Sequence, residues 1–295
     1  MAQEITFGTD GWRGIIADDF TFDNVRRVAG AIASYVLKYE DAQRGVIVGY
    51  DTRFLSPQAA EIVAEVLASA GIPVKLSNDY TPTPAVSYAV KRQGAAGGVM
   101  VTSSHNPWNW NGVKFKGNFG GSATPAIMKR IEEELASGAA PKGNKAAVDK
   151  VDLKKDYVAA VCAFADMDLI AKTNFKFAVD AMYGSGRGVL PGIFDARGVH
   201  YVAIRQELNP LFPGINPEPI PPHTAMLQET VVREKCDAGL ATDGDADRMP
   251  LHFAGAVVFI AQRDRGLHHH PGAAFHVELA AGEPPQVGRI RGIEQ

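Results

Sequence analysis

Val25, Val28, Ala29, Ile32 and Val36 recur at three- and four-residue spacing, which predicts an amphipathic helix entered through Thr21 to Asn24. The β-branched run Val46-Ile47-Val48 predicts a buried strand ending at Gly49-Tyr50-Asp51. Ser56 reads as the cap of a second helix, with Pro57 at its first position and Ile62, Val63, Val66 and Leu67 on one face. Strands are then expected at 74–76, 99–102 and 113–116, and helices at 84–93 and 124–135. A Gly/Ala/Pro/Lys stretch over 137–145 reads as a linker. Beyond it the pattern predicts a helix at 153–164, a strand at 175–180, a glycine-rich turn at 183–188 and a short helix. A strand at 199–204, a proline-rich loop at 209–222, a helix to Lys235 and a strand at 238–241 complete it. Alternating periods of this kind specify the α/β class: two consecutive α/β domains with mixed, largely parallel sheets, at 1–140 and 150–248. No repeat of 20–50 residues interrupts that plan.

The pattern breaks after Arg248. The last 47 residues contain no lysine and five of the eight histidines: His252, His268, His269, His270 and His276. Only 256–261 keeps a strand-like run. Residues 249–295 therefore read as an irregular, atypical tail, either disordered or encoded in a shifted frame, which would make the chain a truncated one. Three consecutive histidines fix no coordination geometry. Over the whole chain, 30 Lys plus Arg against 33 Asp plus Glu give a formal charge of -3. That supplies no basic field, so nucleic-acid and anionic-membrane partners are not expected. With 46% hydrophobic residues, the chain carries enough apolar surface to fold. Two cysteines cannot build a disulfide framework and suit a reducing compartment. No apolar run approaches the roughly 18 residues of a membrane span, and the first residues lack the pattern of a signal peptide. A soluble, cytoplasmic protein is the expectation.

Chemistry concentrates in a few loops. Thr102-Ser103-Ser104-His105-Asn106-Pro107 directly follows a predicted strand. A serine at a strand exit is exposed, and His105 or a nearby amide can stabilise charge on its oxygen; the alternative is an ordinary Ser/Asn/Pro turn. Lys114, on the next strand, is either a solvated residue or an acid/base group made less basic by neighbouring cations. In Thr242-Asp243-Gly244-Asp245-Ala246-Asp247-Arg248 three carboxylates alternate and converge only around a hard cation, and all-oxygen ligation favours Mg²⁺. An EF-hand is excluded, because Arg248 stands where the sixth-position glycine belongs and Ala254 where the twelfth-position glutamate belongs. An acidic turn is the remaining alternative.

The glycine-punctuated loop 8–14 presents Arg13, and Tyr50-Asp51-Thr52-Arg53 presents Arg53. Two guanidinium forks at one sheet edge suggest a phosphate site, whereas singly each is a surface or structural arginine. Gly184-Ser185-Gly186-Arg187-Gly188 matches neither dinucleotide nor Walker glycine patterns and reads as a tight strand-to-helix turn. His200, Trp108, Trp110 and the two cysteines read as packing or surface residues.

Taken in order, loop 8–14, Asp51 and Arg53, Ser104-His105-Asn106-Pro107, Lys114, Asn216-Pro217-Glu218-Pro219 and the aspartate loop resemble the α-D-phosphohexomutases over about residues 4–248. The bacterial phosphoglucomutase/phosphomannomutase branch is the nearest in pattern. The resemblance implies that Ser104 is a phosphoserine exchanging its phosphoryl group with a phosphorylated hexose. It implies Mg²⁺ held by Asp243, Asp245, Asp247 and a phosphoryl oxygen on Ser104, with a hexose 1,6-bisphosphate as activator and intermediate. Arg13 and Lys114 would assist proton transfer and charge stabilisation, His105 would line the site, and Arg53 and Arg248 would orient the phosphoserine and the metal loop. Such transfer rests on positioning and on neutralising oxygen charge. The family's sugar loop, Gly-Glu-x-Ser-Gly-His, and its Ser/Thr/Arg phosphate loop do not occur in this sequence. Two readings follow. One is a mutase interconverting the 1- and 6-phosphates of glucose or mannose. The other is a non-catalytic remnant that binds Mg²⁺ and is phosphorylated on Ser104. A structural, partner-binding module would need neither Ser104 nor three ordered aspartates.

Overall fold

The structure, a computed structural model, describes residues 5–8, 11–138, 140–253, 256–261 and 278–279. It opens on β1 (Phe7–Gly8) and β2 (Gly11–Ile15), where the glycines of 8–14 predict a loop. Those glycines let backbones approach: Gly11 has φ +129°, and a Cβ there would run into the Val113 carbonyl of the neighbouring strand. α1 (Phe22–Tyr39) buries the predicted face, and Thr21 caps it by accepting from the Asn24 amide. β3 (Val46–Tyr50), α2 (Ser56–Ser69), β4 (Val74–Ser77), α3 (Thr83–Gln93), β5 (Gly97–Val101), β6 (Trp110–Lys116) and α4 (Pro125–Ala136) follow. Ser56 does not cap α2. Leu55 takes the cap position in the left-handed region at φ +65°, and Ser56 Oγ instead donates to Asp51 Oδ1 at 2.7 Å. A buried carboxylate needs donors, and the hydroxyl serves it rather than the helix end.

β7 (Val148–Val151) is an exposed edge strand whose Asp149 and Lys150 hide it from a hydrophobic pattern; it pairs parallel with β4. The first sheet runs β1-β2-β6-β5-β3-β4-β7, with β5, β3, β4 and β7 parallel and β6, β2 and β1 antiparallel.

The second sheet is fed by α5 (Lys154–Phe164), α6 (Met167–Lys172), β8 (Lys176–Asp180), α7 (Val189–Asp195), β9 (His200–Ile204), α8 (Ala225–Arg233) and β10 (Ala238–Ala241). β11 (Arg248–Phe253), β12 (Ala256–Ala261) and β13 (Glu278–Leu279) extend it in the order β13-β12-β11-β10-β8-β9. Only β10, β8 and β9 are parallel. The strand expected at 256–261 is present. β11 corrects the reading that regular structure stops at Arg248: antiparallel pairing with β10 and β12 fixes a strand that periodicity alone does not reveal. His268, His269, His270 and the remainder of the tail lie outside the described residues. Among the described residues no helix is long and apolar enough to cross a membrane.

Strand direction places the chemistry. The carboxyl ends of β3, β5, β8 and β10 carry residues 51–53, 102–107, 181–188 and 242–248, and such ends are where open α/β sheets leave a crevice. Hydrogen bonds from Thr52, Thr83 and Ser104 to the second sheet join the two sets of loops.

Candidate active site

Ser104 is 1% exposed and sits in the left-handed region at φ +52°, a strained conformation for any residue with a side chain. A buried polar scaffold holds it there. The Ser104 amide donates to Thr102 Oγ1 at 2.8 Å, and that hydroxyl donates to Asp51 Oδ2 at 2.6 Å. Arg53 lies beneath the loop. Its Nη2 donates to the carbonyls of Ser104 (2.7 Å) and Asn106 (2.6 Å), and its Nη1 to those of Pro107 (2.8 Å) and Trp110 (3.0 Å). Asp51 faces its Nε at 3.3 Å, and the Phe212 ring lies 5.1 Å away. The Arg53 fork is thus spent on four carbonyls, which corrects the expectation that Arg53 and Arg13 share a phosphate site. Arg13, half-buried, does face the loop's outer side and donates to Asn106 Oδ1 at 2.9 Å.

The aspartate loop comes to the same place from the second sheet. Asp243 and Asp245 are fully buried. Asp243 Oδ2 accepts from Ser104 Oγ at 3.1 Å, and its Oδ1 accepts from the amides of Asp247 and Arg248. Asp245 Oδ2 accepts from Thr83 Oγ1 (2.6 Å) and from Lys114 Nζ (3.0 Å). One oxygen from each of Asp243, Asp245 and Asp247 lies within 4.8 Å of the others. Asp245 Oδ1 and Asp247 Oδ1 are buried with no hydrogen-bond partner. Burial pushes Asp243 well above the usual carboxylate range, and the charges of Asp245 and Asp247 push it further. Burial also raises Asp247, with Asp245 adding to it. Asp245 feels the same burial, but Lys114 and Thr83 hold it below the ordinary value. Three crowded carboxylates with two orphaned, buried oxygens are a donor set that a hard divalent cation satisfies, so these residues fit Mg²⁺.

Lys114 is 2% exposed and reaches Asp245 at 3.0 Å and Asp247 at 3.5 Å. Both of these contacts are to carboxylates. His105 sets Nδ1 3.3 Å from Ser104 Oγ and Nε2 3.9 Å from Glu218 Oε1. Burial, then the guanidinium of Arg248, push its ring below the ordinary histidine range, against the pull of Glu218. Arg248 is exposed, with Nε 3.9 Å from Asp247 Oδ1. Ser104, His105, Lys114, Asp243, Asp245, Asp247 and Arg248 therefore gather in one cluster, with Arg13 tied to it through Asn106 and Arg53 underneath.

Sequence reasoning misses the residues that seam the cluster. Thr83, at the start of α3, bonds Asp245 twice, by hydroxyl to carboxylate and by amide to carbonyl at 2.8 Å. Thr52 Oγ1 donates to the Tyr183 carbonyl at 2.8 Å. A Cβ on Gly244 would run into the Ser104 carbonyl and come within 3.2 Å of Pro217 Cγ. The turn at 184–188 is the tight one expected. It packs under the aspartate loop, where a Cβ on Gly184 would lie 2.7 Å from the Asp243 carbonyl oxygen. His200 is exposed, Trp108 is half-exposed and Cys236 is buried, as packing or surface residues. The run Thr81-Pro82-Thr83-Pro84 at a strand-to-helix junction is the only local sign of Thr83, and it says nothing of Asp245.

The family model for phosphoglucomutase/phosphomannomutase α/β/α domain I matches residues 4–142, and the model for domain II matches residues 155–253. A phosphoglucosamine mutase of Caldanaerobacter subterraneus subsp. tengcongensis is 36% identical over 248 residues, covering 82% of this chain and 54% of the relative. A phosphoglucosamine mutase of Caldicellulosiruptor bescii is 32% identical over 248 residues, 82% of this chain and 54% of that one. A crystal structure from Thermus thermophilus, provisionally assigned as a phosphomannomutase, superposes with TM-score 0.79 at 37% identity, covering 86% of this chain and 58% of its own. The chain spans about half the length of the curated relatives it matches.

Proposed function

This chain belongs to the phosphoglucomutase/phosphomannomutase family, and on that premise we propose that residues 1–140 and 150–248 form the phosphoserine and metal domains of a cytoplasmic phosphohexose mutase. The contact that carries this reading is Ser104 Oγ, 3.1 Å from Asp243 Oδ2, beside three aspartates whose oxygens lie within 4.8 Å of one another. Its substrates are phosphorylated hexoses. The relatives' names divide between glucosamine and mannose, so the proposal stays at that class.

Ser104 carries the phosphoryl group, gives it to a hexose monophosphate, and recovers the other phosphate from the reoriented hexose 1,6-bisphosphate. Asp243, Asp245 and Asp247 would hold Mg²⁺, which when bound neutralises phosphoryl oxygen charge. Lys114, tethered to Asp245, brings an ammonium to the same oxygens. Arg13 approaches from the outer side of the serine loop and Arg248 from the aspartate loop. Arg53 orients the loop through its carbonyls rather than touching the phosphoryl group. The half-buried cluster limits water at Ser104, which favours transfer to sugar over hydrolysis.

The residues that would accept and hold the phosphoryl group, Ser104, Lys114 and the three aspartates, all lie on these two sheets or their loops. Incubation with glucose 1,6-bisphosphate and Mg²⁺, followed by intact-mass and peptide analysis, should place one phosphoryl group on Ser104 and none on Ser104→Ala. Undiminished labelling of Ser104→Ala would overturn the assignment.

A further inference from the structure

Among the described residues, Glu218 is the acidic side chain that reaches the site from the proline-rich loop, and although it belongs to the Asn216–Pro219 motif, the proposed transfer gives it no role. Its backbone is fixed at the site. The adjoining Pro217 carbonyl accepts from the Gly244 amide at 3.1 Å, and a Cβ on Gly244 would lie 3.2 Å from Pro217 Cγ. The loop's far end is tied down too. Arg205, paired with buried Asp180, donates to the His223 carbonyl at 3.1 Å, and His223 Nδ1 accepts from the Asn216 amide at 3.3 Å. The Glu218 carboxylate then stands 3.9 Å from His105 Nε2, with side chains 29% and 26% exposed. Such a separation closes by a small rotation, and contacts of this kind tighten when a site is loaded.

The other ring nitrogen, Nδ1, lies 3.3 Å from Ser104 Oγ. A neutral imidazole carries one N–H, and the bond made by one nitrogen decides the role of the other. Ser104 Oγ also donates to Asp243, so without Glu218 the stable arrangement is Nδ1–H donating to Ser104 Oγ. A carboxylate at Nε2 reverses that preference, because a lone pair facing a carboxylate is repelled. We propose that Glu218 is a positioning residue that fixes His105 in the Nε2–H tautomer, leaving Nδ1 as an acceptor that competes with Asp243 for the single Ser104 hydroxyl hydrogen. The significance of the arrangement rests on the reading of Ser104 as the phosphoryl carrier; the tautomer itself does not.

The test uses the whole chain labelled with ¹⁵N-histidine, observed in long-range ¹H–¹⁵N spectra at one fixed, mildly alkaline pH, with His105 assigned by its loss in His105→Gln. Wild type and Glu218→Gln, whose amide oxygen still accepts, should show the Nε2–H pattern, and Glu218→Ala should shift to Nδ1–H. Phosphoryl uptake from glucose 1,6-bisphosphate should fall about tenfold in Glu218→Ala and recover in Glu218→Gln, the scale expected for a residue acting through another. An unchanged Nε2–H pattern in Glu218→Ala overturns the proposal, as does an Nδ1–H pattern in wild type. If the wild type takes up no phosphoryl group, the functional reading fails, and the tautomer comparison still decides the role of Glu218.

Discussion

The first sheet packs a large core, from Trp12 on β2 through Val28 and Ile32 on α1 to Ile131 on α4, and a smaller one around Val86 on α3 and Met100 on β5, whereas the second sheet has two small clusters around Leu227 and Phe194. α5 buries no residue fully, and Phe164 and Val232 are 87% and 69% exposed. Both sheets nevertheless end a central strand on a buried ion pair, Asp51 with Arg53 and Asp180 with Arg205. The pairs differ in where the rest of each guanidinium goes. Arg53 gathers four carbonyls of the serine loop, and Arg205 reaches one, that of His223. The serine half is thus organised by its own core, while the aspartate half takes much of its order from the seam with the first sheet, through Thr83, Thr52 and the Gly244–Ser104 contact.

The largest effect should come from Arg53→Ala. It leaves Asp51 in the core without its cation and takes a donor from four carbonyls, of which that of Pro107 keeps another, the Trp110 amide. Breaking a buried pair from one side costs about 3–5 kcal/mol. Urea unfolding should show that loss together with an absence of Ser104 labelling. Arg205→Ala should lose less stability and retain measurable labelling; equal loss of labelling in the two variants would break the comparison. Gly244→Ala comes next. Its methyl pries the two loops apart, with about 1–3 kcal/mol of overpacking, and uptake should fall further than the melting temperature suggests. Thr83→Val removes a donor to Asp245 across the seam and should cost roughly 1–3 kcal/mol, read as a lower urea midpoint in the metal-free chain.

The smallest effect sharpens the seam at its edge, where Lys154 pairs with Asp79. Burial pushes Asp79 up, but the Lys154 ammonium and the Tyr80 amide outweigh it and hold the carboxyl below its ordinary value. A depressed folded-state pKa stabilises above the unfolded value of about 3.9 and ceases to do so as pH falls through the folded value. With both side chains partly solvated, the stability gap between wild type and Asp79→Asn should be about 0.2–1 kcal/mol near neutrality. It should vanish on acidification below the carboxylate range.

What could be read in the sequence follows from how local each signal is. Ser104 and the three aspartates are legible because each set lies within one loop, and the helices α1 and α4 because their apolar periods are long. The inward turn of Arg53 is not legible, since its acceptors lie 51 to 57 residues away. Thr83 meets Asp245 across 162 residues. β1 and β2 are short or glycine-rich, β11 carries a proline and no clear alternation, and all three exist by virtue of their neighbours' pairing, which no window of the sequence contains. Ser56 fails as a cap for a nearer reason, because the buried Asp51, five residues earlier, takes its hydroxyl.

The central claim is that the serine of one sheet and the aspartates of the other form one centre. The direct measurement is the ³¹P resonance of Ser104, phosphorylated with glucose 1,6-bisphosphate, during titration with paramagnetic Mn²⁺ in place of Mg²⁺. Strong broadening is expected at stoichiometric Mn²⁺ in the wild type, and a sharp resonance under the same conditions in Asp245→Asn. A resonance that stays sharp while the wild-type chain binds Mn²⁺ would contradict it, placing the metal away from the serine.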